Sequence, residues 1–319
     1  MPVNRICDYN YRLFLQKDLQ YGSIYERKGS DGAVDLVPMK KYELRSGVAI
    51  PQIGLGTWKL NDQDALKTIL AEVARGECFL VDTAAAYGNE IDLSKALREL
   101  SFPREAMFIQ DKLWNTNRGY EQTQQACRKS LKKLKLDYLD AYLIHWPASP
   151  KLYENWQEIN AETWRGMERL KEDGLVRVIG VCNFKPHHME ELRLTAKELP
   201  EIDQFELHPG FYPREVLDYC RENDILFEAS SPLGNGQILE HPLLVEIGNK
   251  YGKTAAQVCM RWALEKGAVP IAKTGSPKRW RENCDIFDFS LSNEERSALD
   301  AMEYCGGIGM DADEITEFG

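Results

Sequence analysis

Short apolar segments alternate with helix-length amphipathic segments along most of this 319-residue chain. Near-continuous apolar runs of this kind are typical of parallel strands that helices cover from outside. Eight runs in succession predict that the sheet closes into a (β/α)8 or TIM barrel, a fold of about 250 residues. The predicted strands are residues 50–56, 79–81, 107–109, 139–144, 176–180, 202–205, 225–228 and 269–271.

Two further elements precede the barrel. Residues 40–51 read as a β-hairpin with a turn at Ser46 and Gly47, and residues 28–32 read as a turn or linker. Residues 13–24 contain too many apolar side chains for a solvated tail. We therefore expect residues 1–38 to form an N-terminal extension packed on the barrel, and residues 39–319 to form a single barrel domain.

The segments between the strands carry helix signals of their own. Thr254 with Gln257 and Ser292 with Glu295 fit capping boxes, which mark helix starts. Apolar residues recur with the 3.6-residue period after the first barrel strand, at Ala65, Leu66, Ile69, Leu70 and Val73.

Composition argues against a nucleic-acid-binding or membrane-spanning protein. The chain is 43% hydrophobic, and its 40 basic and 50 acidic residues give a net charge of −10. Nucleic acids and anionic membranes require a concentrated positive surface, and a membrane span requires roughly 20 apolar residues, which no run approaches. We expect a small-molecule substrate, no nucleic-acid or membrane partner, and a monomer or weak oligomer.

Cysteines and histidines indicate neither a disulfide framework nor a metal site. The eight cysteines are scattered without a CxxC pair, which favours reduced thiols and a cytoplasmic location. No HxH or HExxH motif occurs among the five histidines, so we expect no bound metal. The adjacent His187 and His188 point about 100° apart on a helix and read as a solvated surface pair.

Catalytic groups of a (β/α)8 barrel lie at the C-terminal ends of its strands. Any barrel places polar residues where strands leave the core, so each residue taken alone is weak evidence. The polar residues that follow the predicted strands would all fall on one rim: Asp82, Lys112, His145, Cys182, Asn183, Gln204, Ser230, Ser231, Lys273 and Thr274.

Together, four residues on this rim supply the parts of an acid catalyst. A free tyrosine titrates near pH ~10, so Tyr87 needs a nearby cation to act as an acid at neutral pH. Lys112 can supply that cation, and Asp82 can hold its ammonium group. A neutral His145 can orient a carbonyl group by donating a hydrogen bond.

Motifs along the chain resemble the aldo-keto reductase family. They include GLGTW at 54–58, DTAAAYGNE at 82–90, KLW at 112–114, IHWP at 144–147 and GVCNF at 180–184. QFELHP at 204–209, SPLG at 231–234 and AKTGSPKRWREN at 272–283 follow in family order, so the resemblance covers residues 39–302. The pattern is most similar to the branch with diketogluconate reductases and prostaglandin F synthases.

This resemblance implies an oxidoreductase that uses NADPH, rather than NADH, to reduce carbonyl compounds. Asp82, Tyr87, Lys112 and His145 match the family's catalytic tetrad, with Tyr87 as the proton donor. The nicotinamide would lie across the rim without a Rossmann fold, and Gly54-Leu55-Gly56 is indeed not completed to GxGxxG. Implied cofactor-binding positions are Gly56, Thr57, Cys182, Asn183, Gln204, Ser230, Ser231, Pro232, Leu233, Gly234, Lys273, Thr274, Gly275, Ser276, Arg279, Glu282 and Asn283.

Within that set, neighbouring positions have different implied partners. Asn183 and Gln204 match the residues that hold the nicotinamide carboxamide, and residues 231–234 match the loop over the pyrophosphate. The group from Lys273 to Arg279 matches the site for the 2′-phosphate, where an ammonium, hydroxyls and a guanidinium suit a dianion.

Two positions depart from the family pattern. Cys182 replaces the usual serine of GxSNF, which exchanges a firm hydroxyl donor for a weak thiol donor. Ser230 replaces the tyrosine that stacks on the nicotinamide, so we expect weaker cofactor binding or a substitute aromatic residue.

Trp58, Trp114 and Trp146 are the candidate residues of the substrate pocket. The loop after SPLG is short, and so is the segment after Met302, which we do not expect to form a long specificity loop. We expect small aldehydes, keto-aldehydes or sugar-derived carbonyls as substrates.

Other functions on this fold stay open. A nucleotide-binding regulatory protein would retain the cofactor site without significant turnover. A lyase or aldolase would use Lys112 or Lys273 as a Schiff-base nucleophile. A metal-dependent hydrolase is disfavoured because the strand ends lack a histidine cluster.

Overall fold

The computed structural model describes residues 22–28, 34–76, 79–100 and 102–315, with side chains from residue 41 onward. Eight parallel strands close into a barrel, so the fold class predicted from the alternation is confirmed. Three strands precede the barrel: β1 (Gly22–Lys28), β2 (Val34–Glu43) and β3 (Ala49–Pro51). The barrel strands are β4 (Gly54–Gly56), β5 (Phe79–Asp82), β6 (Met107–Leu113), β7 (Leu139–Ile144), β8 (Val176–Cys182), β9 (Ile202–Glu206), β10 (Leu226–Ser230) and β11 (Val269–Lys273).

Strands β2 and β3 form the predicted antiparallel hairpin, with Tyr42 opposite Ile50. The predicted first barrel strand, residues 50–56, is wrong in its bounds, because Gln52 and Ile53 bend the chain and only β4 joins the barrel. Strand β1 pairs with β2 and extends the hairpin. Residues 1–21 and 29–33 lie outside the described part, so the turn predicted at 28–32 and the packing of residues 1–38 stay predictions.

Ten α-helices occur in the described part of the chain, and none of them combines the length and apolarity that crossing a membrane requires. Thr254 and Ser292 each accept a hydrogen bond at a helix start, so both predicted capping boxes are confirmed. The helices are α1 (Gln63–Val73), α2 (Glu90–Glu99), α3 (Tyr120–Leu134), α4 (Trp156–Glu172), α5 (Pro186–Arg193), α6 (Arg214–Glu222), α7 (Pro242–Tyr251), α8 (Ala255–Glu265), α9 (Pro277–Cys284) and α10 (Asn293–Asp300).

Side chains fill the barrel interior in two layers of opposite character. The layer nearer the hairpin is apolar and includes Leu80, Phe108 and Ile202. The second layer lies two residues further along the same strands, on the same face, and is polar. Its members are Asp82, Gln110, Gln204 and Glu228, each at most 5% exposed.

Gly54 shows why the GLG motif serves packing in this chain. A Cβ at this position would lie 2.4 Å from Ile271 Cδ1 and 2.8 Å from Leu80 Cδ2. Glycine therefore lets neighbouring strands fill the barrel interior at β4, and the motif does not open a helix as a dinucleotide-binding loop does.

Asp111 is a buried acid outside the polar layer, on the outer face of β6 between Gln110 and Lys112 in the sequence. Asp111 Oδ1 accepts a hydrogen bond from the Lys112 backbone N–H at 2.7 Å, whereas Oδ2 has no partner among the described residues. Burial, reinforced by the nearby Glu90, raises the pKa of Asp111 to about 7. An acid with a raised folded-state pKa stays protonated while the unfolded chain ionises, so stability falls as the pH rises between about 4 and 7.

We expect the stability gained by the Asp111→Asn variant over the wild type to be larger at pH ~8 than at pH ~5, by at least about 1 kcal/mol. The amide still accepts from Lys112 and cannot ionise. Urea unfolding at both pH values measures this difference. The matched control is Asp140→Asn, which should destabilise the protein, because Asp140 pairs with Arg104 at 2.7 Å and with Arg177 at 2.9 Å. Equal gains at both pH values would contradict the electrostatic explanation.

Candidate active site

A cleft of about 1280 Å³ opens at the C-terminal end of the barrel. Most of the predicted site residues line it: Gly56, Trp58, Asp82, Tyr87, Trp114, His145, Trp146, Asn183, Gln204, Ser230, Ser231, Pro232, Leu233, Lys273, Thr274, Arg279, Glu282 and Asn283. Six predicted residues are not part of this lining: Thr57, Lys112, Cys182, Gly234, Gly275 and Ser276.

Lys112 lies directly beneath the cleft floor with no solvent exposure. Its Nζ donates to Asp82 Oδ1 at 2.5 Å and to the Thr83 carbonyl oxygen at 3.0 Å. The third hydrogen bond runs to Tyr87 Oη at 3.4 Å. The ammonium group is therefore held by strand β5 and the loop after it, and it faces the phenol of Tyr87, which lines the cleft.

Electrostatics keep Lys112 charged and the Tyr87 phenol protonated. Burial alone would lower the pKa of Lys112, but Asp82 and the other nearby groups raise it above its usual value. Burial raises the pKa of Tyr87 to about 12, and Lys112 opposes part of that increase. At neutral pH, Lys112 is an ammonium and Tyr87 retains its proton.

His145 forms the side of the cleft next to Tyr87. The two rings meet edge to face with centroids 5.9 Å apart, and Trp114 contacts His145 in the same way at 5.2 Å. Burial, together with the charge of Lys112, holds the pKa of His145 well below its usual value. The imidazole is therefore neutral and carries one N–H group that can donate to a bound oxygen.

Two residues of the polar layer were not predicted as site residues, Gln110 and Glu228. Gln110 Nε2 donates to Asp82 Oδ1 at 2.9 Å and to Glu228 Oε2 at 2.6 Å. Gln204 Nε2 donates to the same two oxygens, to Asp82 Oδ1 at 3.1 Å and to Glu228 Oε2 at 2.8 Å. Both glutamine amides therefore bridge the same pair of carboxyl groups beneath the cleft.

Asn183 is held in a backbone conformation that few side chains adopt. Its φ is +61°, a left-handed value that asparagine tolerates better than most residues. Its Nδ2 donates to the His145 carbonyl oxygen at 3.0 Å, which leaves a second hydrogen and Oδ1 for a ligand. The neighbouring Cys182 is 1% exposed, and burial raises the pKa of its thiol well above the usual value, so it stays a protonated thiol.

Two basic side chains, Lys273 and Arg279, line the part of the cleft where β11 leads into α9. Both are solvent-exposed and form no ion pair within the described residues. Ser276 caps α9 by accepting from the Arg279 N–H at 3.4 Å, and Thr274 accepts from the Ser276 N–H at 3.1 Å. A helix N-terminus flanked by two cations suits an anionic ligand.

The segment after Met302 contributes to the cleft although it is short. Ile308 and Met310 line the cleft and are 41% and 44% exposed. Glu206, at the end of β9, holds this segment by accepting from the Ile308 N–H at 2.6 Å and the Gly309 N–H at 2.8 Å. Gly307 is required there, since its φ is +102° and a Cβ would lie 2.2 Å from Glu206 Oε1.

The same segment is fixed a second time by helix α5. Asp313 lies 2.8 Å from Lys185 Nζ, 3.0 Å from His187 Nε2 and 3.1 Å from His188 Nε2. The expectation of a solvated histidine pair is wrong, because His188 is fully buried and both rings reach Asp313. His187, His188 and Asp313 do not form a credible metal site, since Lys185 pairs with Asp313 and His188 Nδ1 accepts a hydrogen bond from the Lys185 N–H at 3.1 Å.

Comparison with known proteins now identifies this barrel. Residues 52–303 match the model of the aldo/keto reductase family. The chain belongs to that family.

Three similar aldo-keto reductases show how far the likeness extends. Glyoxal reductase of Bacillus subtilis (strain 168) is 42% identical and covers 86% of this chain and 96% of its own length. The 9,11-endoperoxide prostaglandin H2 reductase of Trypanosoma cruzi (strain CL Brener) is 38% identical, and the match covers 85% of this chain and 94% of that protein. An aldo-keto reductase of Bombyx mori, solved in complex with NADP, has a TM-score of 0.73 at 31% identity. The match covers 82% of this chain and 91% of that protein.

Proposed function

We propose that this aldo-keto reductase uses NADPH to reduce aldehydes and ketones to alcohols, with Tyr87 as the proton donor. The observation that carries the proposal is the position of Tyr87 Oη, 3.4 Å from an ammonium that is itself paired with Asp82 at 2.5 Å. The phenol lies between this buried ion pair and the open cleft, beside the neutral His145.

NADPH supplies a hydride for the carbonyl carbon when it is bound. The chain's own residues then have to protonate the carbonyl oxygen. Tyr87 retains its proton at neutral pH and donates it as negative charge develops on that oxygen. The phenolate left behind is stabilised by Lys112, so the cation acts on the product side of the proton transfer. The N–H group of His145 orients the carbonyl oxygen toward Tyr87.

The residues along the cleft fit the two ends of this cofactor. Gln204 and Asn183 can bind the carboxamide group beside the catalytic residues. At the far end, Lys273, Thr274 and Arg279 line the cleft together, and an ammonium, a hydroxyl and a guanidinium suit a phosphate dianion. NADH lacks the 2′-phosphate, so these cations are the reason for proposing NADPH.

A Schiff-base lyase is not supported at Lys112. The nucleophile of such an enzyme must be a neutral amine, whereas the raised pKa of Lys112 keeps it an ammonium. Its ammonium group is also fully buried and bonded to Asp82, Thr83 and Tyr87.

The substrates we propose are small aldehydes, keto-aldehydes and sugar-derived carbonyls. Reduction is tested by following NADPH oxidation with glyoxal, methylglyoxal, an aromatic aldehyde and an aldose. Turnover of at least one carbonyl supports the proposal. Binding of NADPH without turnover of any of them would favour a regulatory nucleotide-binding protein on the same fold.

Ser230 provides a test of the cofactor position. We expect Ser230→Tyr to bind NADPH about two- to tenfold more tightly, because the ring restores a stacking surface worth ~0.5–1.5 kcal/mol. Titration calorimetry measures the change, with Ser230→Ala as the control for loss of the hydroxyl alone. Unchanged affinity in Ser230→Tyr would mean that the nicotinamide does not lie against this residue.

A further inference from the structure

Glu228 is a buried acid that the proposed proton transfer does not use. It lies in the polar layer of the barrel, has no solvent exposure, and belongs to strand β10, whereas Asp82 belongs to β5. The amides of Gln110 and Gln204 lie between these two carboxyl groups and contact both. Glu228 is therefore connected to the catalytic ion pair through two side chains.

The two carboxyl groups decide which way each amide faces. An isolated glutamine amide can turn its oxygen or its nitrogen toward a neighbour. The Asp82 carboxylate can only accept, so each Nε2 faces the carboxyl pair, and both of its hydrogens are used there. The polar atom that Gln204 has left for the cleft is consequently Oε1, a hydrogen-bond acceptor.

An acceptor at that point selects for a donor on the ligand. The carboxamide of a nicotinamide carries an NH2 group, which Gln204 Oε1 can bind, and a carbonyl oxygen, which the free hydrogen of Asn183 Nδ2 can bind. If the Gln204 amide turned over, it would present a donor instead and the carboxamide would lose that match. The orientation of one buried amide thus bears on how the cofactor's reactive ring is placed.

We propose that Glu228 is a positioning residue of this reductase: through Gln204 it fixes the acceptor that recognises the nicotinamide carboxamide, and through Gln110 and Gln204 it holds Asp82 in place. The proposal rests on the proposed function. Asp82 Oδ1 receives three hydrogen bonds, from Lys112, Gln110 and Gln204. Loss of Glu228 leaves two of these three donors, the Gln110 and Gln204 amides, held by Asp82 alone.

The charge of Glu228 is consistent with a holding role. Burial, with the nearby Asp82 carboxylate, raises the pKa of Glu228 to about 7, although hydrogen bonds from Gln110 and Gln204 and the charge of Lys112 lower it. A neutral carboxylic acid still accepts from both amides through Oε2. It also avoids placing a second negative charge beside the single Lys112 cation.

The test compares two ligands, NADPH and its acetylpyridine analogue, in which a methyl group replaces the carboxamide NH2. Dissociation constants for both are measured by calorimetry with the full-length wild type, Glu228→Gln and Glu228→Leu. We expect the wild type to prefer NADPH by at least about fivefold, because the analogue leaves Gln204 Oε1 unpaired. Glu228→Gln should keep this ratio, since its own carbonyl oxygen can accept from both amides.

Glu228→Leu should lower the ratio to less than about twofold, because the Gln204 amide loses its shorter hydrogen bond, keeps only the one to Asp82 at 3.1 Å, and can then rotate to donate to the acetyl oxygen. General destabilisation would weaken both ligands equally and leave the ratio unchanged. Should Glu228→Leu fail to fold, Glu228→Thr removes the same contacts with a shorter side chain. The matched control is Asp203→Asn, a fully buried acid next to Gln204 on β9 that lies on the opposite face of the strand.

The proposal is overturned if Glu228→Leu or Glu228→Thr keeps the wild-type preference for NADPH over the analogue. It is also overturned if Asp203→Asn loses that preference to the same extent. A wild type that binds NADPH but reduces no carbonyl defeats the proposed reaction, while the binding ratio still decides the role of Glu228. A wild type that does not bind NADPH overturns both.

Discussion

Replacement of Tyr87 by phenylalanine should lower kcat for carbonyl reduction by about 10²–10⁴-fold, the usual contribution of a positioned general acid. The variant loses the phenolic oxygen but keeps the ring that contacts His145. NADPH affinity should stay within about twofold, because Tyr87 is placed to contact the substrate oxygen. Steady-state NADPH oxidation and calorimetry measure the two quantities separately.

Tyr153→Phe is the matched control for this prediction. Tyr153 is 37% exposed and is not part of the cleft lining, so its phenol can be removed without reaching the site. We expect wild-type activity from it. Full activity in Tyr87→Phe would mean that another group protonates the substrate, and His145→Gln would then be the next variant to examine.

Among the titratable groups at the cleft floor, Tyr87 is the best placed donor for physical reasons. Lys112 is fully buried beneath the phenol, and its hydrogens are committed to Asp82, Thr83 and Tyr87. His145 is neutral, so it would have to give up its only N–H proton and become an imidazolate. The phenol is the acid that faces the cleft and has a cation ready to stabilise its conjugate base.

The sequence predicts the rim well because strand polarity determines it. In a parallel barrel all C-terminal strand ends meet at one edge, so Asp82, Lys112 and His145 can be placed together from their position after apolar runs alone. Capping boxes are equally local, and those at Thr254 and Ser292 are found where predicted. These features depend on order along the chain and need no knowledge of which strands face one another.

Contacts across the barrel could not be predicted in this way. Glu228 and Asp82 are 146 positions apart, and their link through Gln110 and Gln204 depends on strand stagger, which apolar runs do not encode. The hydrogen bond from the Ile308 N–H to Glu206 likewise joins residues 102 positions apart. A signal for the first did exist: Gln110, Gln204 and Glu228 each follow an apolar residue two positions earlier in a predicted or adjoining strand, and buried polar residues need partners.

The Lys112→Met variant separates catalysis from stability. Removing the ammonium leaves the Asp82 carboxylate buried without its counter-charge, and breaking a buried ion pair costs about 3–5 kcal/mol. Gln110 and Gln204 still donate to Asp82, so we expect the lower end of that range. We also expect kcat to fall by about 10²-fold or more, because no cation remains to stabilise the Tyr87 phenolate. Urea unfolding and NADPH oxidation measure the two effects.

The double variant Asp82→Asn with Lys112→Met removes both charges and should recover most of the lost stability, since a neutral amide needs no counter-charge. Its activity should stay as low as that of Lys112→Met, because Tyr87 still lacks its cation. Lys67→Met is the control: Lys67 pairs with Glu99 at the surface, where such pairs contribute about 1 kcal/mol or less. A double variant that regains activity together with stability would show that Lys112 supports the fold and does not tune the acid.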